Sequence, residues 1–596
     1  KHRNRRTHLA GCRACVNLRR CNPLGTLRDM TYLSHRRKAE QSHRSRWASS
    51  FTHAVQYGSW QGRNSNHAKS VFAEYGWRMS FEGEIASNIG ARVSIRLRDG
   101  EALRDLLGVL QSETTIVKRD GTVETFNSAD IAFFRVVPVF NRRNHQMRAL
   151  ELYESASRSL RAVDGEEITI YACGPTVYRD AHIGNMRTFL LTDLIRRALS
   201  LNGTRTITTS NITDVGHMSE NLDGSDSGDK VLEEAALEKV EPLAIARKYE
   251  DRYHADLSAL NISPADFYPR ASENIDEVIS AIEKLMASGD AYCGSDGNIY
   301  FDAHRANQYG YISGNKLDAL KPGHRYEYVG DGGKRFHADW ALWKLAGARS
   351  EMIWPSPWGA GFPGWHIECS AMSLKLLGRR VDIHVGGIDL RFPHHENERA
   401  QTNALAGTEV VQHWVHGEHL LFEGRKMAKS SGNVILVSDI AARGFDPLAL
   451  RLALMENRYR SQIDMTWSAI AAADALLQRW RALMPTWGES SEMKFDEEIY
   501  QLFMSDLDTS KALLRLRAIE KDPAIGRDDK RAIFLYADQV LALGLAAPAR
   551  KIEMTDEMAQ LITARTAARE AKNWAESDRL RDLLLEMGYQ VNDGKI

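Results

Sequence analysis

The sequence predicts an α/β protein: a doubly wound domain with an inserted subdomain, a C-terminal α-helical bundle, and a small β-barrel near its N-terminus. Three patterns predict it. Residues 166–214 read strand, loop, helix, strand; residues 495–586 are apolar at helical spacing; and residues 79–144 alternate in short apolar and polar runs. At 596 residues the usual domain size implies several domains and ample core.

Residues 1–78 hold 16 Lys and Arg against 3 Asp and Glu, although the whole chain sums to zero formal charge. They show neither hydrophobic period and are expected to form a basic, disordered extension. That charge suits contact with RNA; equally, the stretch could be translated upstream sequence without a selected role. Cys12, Cys15 and Cys21 resemble half a zinc knuckle, but no further ligands follow at metal spacing, and free thiols are expected.

Residues 79–146 contain ARVSIRLRDG, LRDLLGVLQS, TTIVKRDGTVETF with a turn at Asp120-Gly121, and IAFFRVVPVF. Alternation around a DG turn is a hairpin signal. Four or five such strands predict a small SH3-like or OB-like barrel, an appended module whose purpose the fold alone does not give.

Met147 is a second plausible start, and chemistry begins beyond it. EEITIYAC (166–173) is a short apolar strand, GPTVYRDAHIGN a turn-forming link, MRTFLLTDLIRRALSLNG an amphipathic helix closed by Asn202-Gly203, and TRTITTSNITDV a second strand. This is the opening of a Rossmann-like nucleotide fold, whose ligand lies beyond the strand's carboxyl end against the helix N-terminus. Cys173 and His182 then fall at the site. His182-Ile183-Gly184-Asn185 brings a ring nitrogen and a glycine to the helix start, where a triphosphate can approach closely. Lys426-Met427-Ala428-Lys429-Ser430, after the strand-like HLLFEG, puts two lysines on a loop flanked by Ser and Gly, suited to a departing pyrophosphate.

Together and in this order the two motifs form a class I aminoacyl-tRNA synthetase signature. With ITIYACGPTVY, NITDV, ADWALWK, WPSPWGAGFPGWHIECSAMS and DIHVGGIDLRFPHHENERAQ, the chain from Met147 onward resembles the cysteinyl-tRNA synthetase family. The resemblance implies ATP-dependent attachment of L-cysteine to tRNA(Cys) through a cysteinyl-adenylate. It implies one zinc ion per chain on Cys173, Cys369, His394 and Glu398, and MgATP at His182 to Asn185, Asp389 and Lys426 to Ser430. His182, Asn185, Lys426 and Lys429 would be catalytic, with Thr213, Trp365 and His384 around the substrate. It divides the chain into a catalytic domain at 147–440, a tRNA-stem contact at 441–490 and a helical anticodon-binding domain at 491–596.

The residues support the zinc set on their own. Pro393 suits a helix start, so His394 and Glu398, at i and i+4, share one face. Two cysteines complete a tetrahedral S2NO set, while His395 and Glu396 point elsewhere and serve as supporting groups. A metal also answers a recognition problem. Serine differs from cysteine by one atom, which a pocket rejects only weakly, whereas zinc binds the soft thiolate and leaves a protonated hydroxyl aside.

Some features depart from the family's common pattern. Asn185 stands where a second histidine is usual, Ala428 replaces a serine, and GHMSENLDGSDSGDK replaces a short acidic run. Six cysteines in so long a chain form no disulfide framework, and no apolar run spans a membrane, so a cytoplasmic monomer is expected. Two other functions remain open: ligation of cysteine to an amino sugar, as in mycothiol-pathway ligases, and a non-catalytic RNA-binding relative.

Overall fold

The computed structural model describes residues 85, 88–90, 92–99, 102–118, 122–128, 131–136, 148–215, 230–320, 333–347, 349–427, 433–550 and 555–586. The expectations for the basic extension and its three cysteines, for the Asp120-Gly121 turn and Met147, for most of the loop at 216–230, and for Ala428, Lys429 and Ser430 lie outside these residues. The chain forms two compact units.

In the smaller unit, β1 (Arg92–Asp99), β2 (Ala102–Ser112), β3 (Thr115–Val117), β4 (Val123–Thr125) and β5 (Ile131–Val136) form an antiparallel sheet in the order β4-β3-β2-β1-β5. Strand periodicity puts Val93, Ile95 and Leu97 of β1 on one face, where they are buried with Leu106, Leu110, Ile116 and Ile131. The strands fall where the alternating runs predict them. Among the described residues β4 and β5 are the edges of this sheet and do not pair with each other. β3 and β4 are three residues long, and of their side chains only that of Ile116 is buried.

The larger unit opens with a hairpin of β6 (Leu150–Glu154) and β7 (Ser159–Val163). Then come β8 (Glu167–Ala172), α1 (Ile183–Leu201) and β9 (Arg205–Ser210), as the pattern predicts. Asn202 caps α1 and Gly203 follows with φ 72°, a left-handed conformation open to glycine. An insertion follows: α2 (Lys230–Glu238), α3 (Pro242–Ala259), α4 (Ile275–Ser288) and an antiparallel sheet of β10 (Ala291–Cys293), β11 (Ile299–Phe301), β12 (Trp340–Leu345) and β13 (Gly361–Pro363). Phe301, Trp340 and Trp343 pack there with Val278, Ile282 and Leu285 of α4.

Next are α5 (Trp365–Leu377), β14 (Val381–Gly387), α6 (His394–Ala406) and β15 (Val411–Gly417). The central sheet is wholly parallel, in the order β15-β14-β8-β9. From β8 the chain builds outward through α1 to β9, and from β14 it builds the other way through α6 to β15. The direction reverses between β8 and β14, and a crevice opens beyond their carboxyl ends. The Cys173 amide donates to the Val385 carbonyl at 3.1 Å and holds the exit of β8 against β14.

β16 (Leu420–Phe422), β17 (Arg425–Lys426) and β18 (Ile463–Met465) form a small sheet, with α7 (Val437–Ala442), α8 (Pro447–Met455) and α9 (Trp467–Leu483) around it in sequence. Five helices follow: α10 (Glu497–Met504), α11 (Thr509–Lys521), α12 (Arg527–Leu541), α13 (Asp556–Glu570) and α14 (Trp574–Glu586). Arg451 of α8 is wholly buried; it reaches Asp193 of α1 at 2.7 Å and the Leu541 carbonyl of α12 at 2.6 Å. No described helix is long and apolar enough to cross a membrane.

Candidate active site and metal centre

A histidine, two cysteines and a glutamate meet at the crevice, brought there by three elements. Cys173 follows β8, Cys369 lies on α5, and the first turns of α6 carry His394 and Glu398. The ligand atoms of Cys173, Cys369, His394 and Glu398 lie within 4.8 Å of one another, and all four residues are buried. As the i, i+4 spacing predicts, His394 Nε2 and Glu398 Oε1 are 2.6 Å apart. Glu398 Oε1 is 3.6 Å from Cys173 Sγ, and His394 Nε2 is 3.8 Å from Cys369 Sγ.

A second group shares half of these donors. Cys173, His384, His395 and Glu398 meet the same distance limit. His384 Nε2 is 3.4 Å from Cys173 Sγ and 3.5 Å from Glu398 Oε2, and His395 Nε2 is 3.3 Å from Cys173 Sγ. Two thiolates make the first set the softer, which favours a thiophilic ion there. Histidines also hold the rings from behind: His394 Nδ1 meets His366 Nδ1 at 2.9 Å, and His395 Nδ1 meets His416 Nε2 at 2.8 Å, with Ser155 Oγ beyond it at 2.7 Å. Glu396 plays the supporting part expected of it, accepting from the amides of Ile312 and Ser313.

The electrostatics suit a cation. Burial pushes the Cys173 thiol and the Glu398 carboxyl well above their ordinary values, while the hydrogen bond with Cys173 draws Cys369 down to about 7. Burial keeps His384 and His395 neutral, and with Arg391 nearby it draws His416 down to about 3. The ion-pair contacts of Glu398 are both histidines, His394 and His384. A metal ion would supply the charge that lets buried thiolates and a carboxylate exist together.

Beside this cluster lies the start of α1. His182 is its N-cap: Nδ1 accepts from the Asn185 amide at 3.2 Å, and Asn185 Oδ1 accepts from the His182 amide at 3.1 Å. Asn185, in place of the second histidine, thus completes a reciprocal capping box. Gly184 lets the second motif approach. A Cβ there would lie 2.9 Å from Met427 Cε and 3.0 Å from the His182 ring. Ile183 donates to the Ile435 carbonyl at 3.0 Å, so the chain returns to α1 on the far side of the lysine loop. Lys426 ends β17 and is exposed. Burial, then Arg179 and Lys426, lower the proton affinity of His182, and Asp389 opposes them.

The remaining expected residues line the same crevice. Trp365, the first residue of α5, stacks on the His394 ring at 4.0 Å. His384 stacks on Trp414 at 4.6 Å and, as noted, touches two metal donors. Thr213 is buried beside the segment that follows Cys173, exchanging backbone bonds with Pro175 and Val177 at 3.1 Å, and its hydroxyl accepts from Asn211 at 3.0 Å. Sequence reasoning missed His366, His416 and the packing of Met427 on Gly184. HWVHG on β15 held a signal, since its strand period puts His416 on the same face as Trp414.

This geometry defines a crevice at the switch point of a parallel sheet, edged by four buried donors that could hold a thiophilic metal ion. Residues 159–475 match the family model for the tRNA synthetases class I (C) catalytic domain, and residues 552–595 match that for the cysteinyl-tRNA ligase anticodon binding domain. Among curated relatives, cysteine–tRNA ligase 1 of Burkholderia lata is 39% identical over 74% of this chain and 95% of its own length. The cysteine–tRNA ligases of Thermus thermophilus and Hyphomonas neptunium are each 38% identical, over 73% and 75% of this chain and 94% and 98% of their own. The chain belongs to the cysteine–tRNA ligase family.

Proposed function

We propose that this protein attaches L-cysteine to tRNA(Cys) using ATP, through a cysteinyl-adenylate. The observation that carries the proposal is the convergence of four buried donors, Cys173, Cys369, His394 and Glu398, beside the His182 turn at one crevice. Zinc bound to these donors would accept the substrate's sulfur as a thiolate and disfavour serine, whose hydroxyl stays protonated and is a poor ligand.

The chain's own groups do the rest. Trp365, Thr213 and His384 bound the pocket for the amino acid. His182, Ile183, Gly184, Asn185 and Asp389 receive MgATP at the positive end of α1. Lys426 to Ser430, with Lys426 and Lys429 as the charged members, neutralise the pyrophosphate as it departs. The carboxylate of cysteine is already an anion at neutral pH, so its attack on the α-phosphate needs positioning and charge stabilisation and no protein base. The terminal ribose hydroxyl of the tRNA then attacks the activated carbonyl and AMP leaves. Residues 441–490 would meet the tRNA stem, and the helices of 491–596 the anticodon.

The test is cysteine-dependent exchange of labelled pyrophosphate into ATP, followed by transfer to purified tRNA(Cys) or to glucosaminyl-inositol. Exchange with transfer to tRNA is expected. No exchange would remove the enzymatic reading, and transfer to the sugar alone would make the protein an amino-sugar ligase.

A further inference from the structure

Arg187 is the fifth residue of α1, the helix capped by His182, and its side chain is buried. Its Nη1 donates to the carbonyls of Glu418 at 2.6 Å and His419 at 2.9 Å, and its Nη2 to those of Arg458 at 3.1 Å and Ser461 at 2.5 Å. The first two carbonyls lead directly into β16 and the other two come just before β18, strands that pair in parallel from Leu420 and Ile463 onward. The Glu418 amide joins the same two segments by donating to the Tyr459 carbonyl at 2.9 Å. The guanidinium therefore holds the entrance to the small sheet that carries β17 and ends at Lys426, and it does so from the helix that begins at His182.

Burying a cation is costly, and an apolar side chain would join helix to sheet by packing alone. What the guanidinium adds is a rigid planar fork, whose donors meet main-chain carbonyls that cannot rotate away as a side chain can. Such bonds fix spacing and orientation together. The spacing is also tight at its other end, where a Cβ on Gly184 would lie 2.9 Å from Met427 Cε. We infer that Arg187 is a positioning residue for adenylate formation, holding the His182 turn and Lys426 at one spacing. A shift of about 1 Å in such an arrangement can slow a reaction about 100-fold. The four bonds of Arg187 reach none of the metal donors, so the cost falls on the rate and spares the binding of cysteine. The inference rests on the reading of Lys426 as a group that meets the departing pyrophosphate.

The experiment measures cysteine-dependent exchange of pyrophosphate into ATP for the full-length wild type, Arg187→Met, Arg187→Lys, Lys426→Ala and the two double variants that combine Lys426→Ala with each change at Arg187. Arg187→Met is expected to lower kcat about 100-fold and to leave the Michaelis constant for cysteine unchanged. Arg187→Lys, which keeps the charge and three donors without the planar fork, should fall between it and wild type. Because Arg187 acts through Lys426, each double variant should lose no more than the worse of its two singles. A wild-type kcat in either variant of Arg187, a rise in the Michaelis constant for cysteine that matches the fall in kcat, or losses that multiply in the double variants would each overturn the inference. Should Arg187→Met fail to fold, the lysine variant and its double decide by the same criteria. A wild type without exchange, or a Lys426→Ala variant as active as wild type, overturns the reading beneath the inference, and either result is visible before Arg187 is altered.

Discussion

Replacing Arg451 with methionine tests how α1 is tied to the C-terminal helices. The guanidinium donates to the carbonyls of Leu541 at 2.6 Å, Leu260 at 2.9 Å, Asn261 at 3.1 Å and Val540 at 3.4 Å, and to Asp193 Oδ2 at 2.7 Å. Methionine has similar reach and no charge. Asp193 would keep Arg197 at 2.8 Å and the Ser263 amide at 3.0 Å, and the Asn261 carbonyl would keep Arg197 at 2.9 Å. The carbonyls of Val540 and Leu541, at the end of α12, would lose their donor. Both side chains of the ion pair are fully buried, so solvent screening gives no discount, and removing one partner should cost about 3–5 kcal/mol. That is a large fraction of the roughly 5–15 kcal/mol typical of a domain.

Urea unfolding followed by tryptophan fluorescence would read this locally, since Trp480 and Trp487 pack on Phe534 of α12 at 5.3 and 4.9 Å. The midpoint of that transition should fall, and the Asp193→Asn/Arg451→Met double variant should cost less than the two singles together by more than about 1 kcal/mol. The pH dependence adds a check. Burial pushes Asp193 upward, yet Arg197 and Arg451 outweigh it and hold the carboxyl well below its ordinary range. Its contribution is therefore complete above the unfolded value near 4 and is lost as pH falls further. A single variant costing under about 1 kcal/mol, or strictly additive singles, would refute the reasoning.

Cys369→Ser should lose zinc and raise the Michaelis constant for cysteine more than that for ATP; metal analysis with exchange kinetics checks both, and a zinc-replete variant with normal cysteine affinity removes Cys369 from the ligands. Gly184→Ala should leave thermal stability nearly unchanged, since alanine suits a helix, yet slow pyrophosphate exchange about tenfold or more because its Cβ displaces Met427 or the His182 ring. Burial, then the Asp180 charge, pushes Asp256 up to about 7. Native stability therefore falls as pH rises from about 4 to 7, and Asp256→Asn should melt above wild type at pH 8, an advantage that disappears near pH 4.

What the sequence disclosed was mostly local. Unbroken apolar periodicity marks β8 and α1, and a fixed helical spacing joins His394 to Glu398. The junction of Cys173 with Cys369, nearly two hundred residues apart, is not periodic; only the order of the parallel strands makes it, and sequence motifs had to stand in for that order. Histidines behind histidines were invisible for the same reason, since His366 and His416 reach the site from α5 and β15. The β6–β7 hairpin went unread because its second strand is largely exposed and has little apolar alternation. In the smaller unit alternation located the strands, because one face of each buries apolar side chains at a period of two.

The capping box at His182 has a consequence for where a proton sits. A backbone N–H donates to Nδ1, so that nitrogen must present its lone pair, and the neutral ring carries its hydrogen on Nε2. With its proton affinity lowered, the imidazole is uncharged at neutral pH and remains a hydrogen donor. The amide side chain of Asn185 thereby supports a fixed tautomer, doing by backbone geometry what a second titratable ring could do only in one of its protonation states.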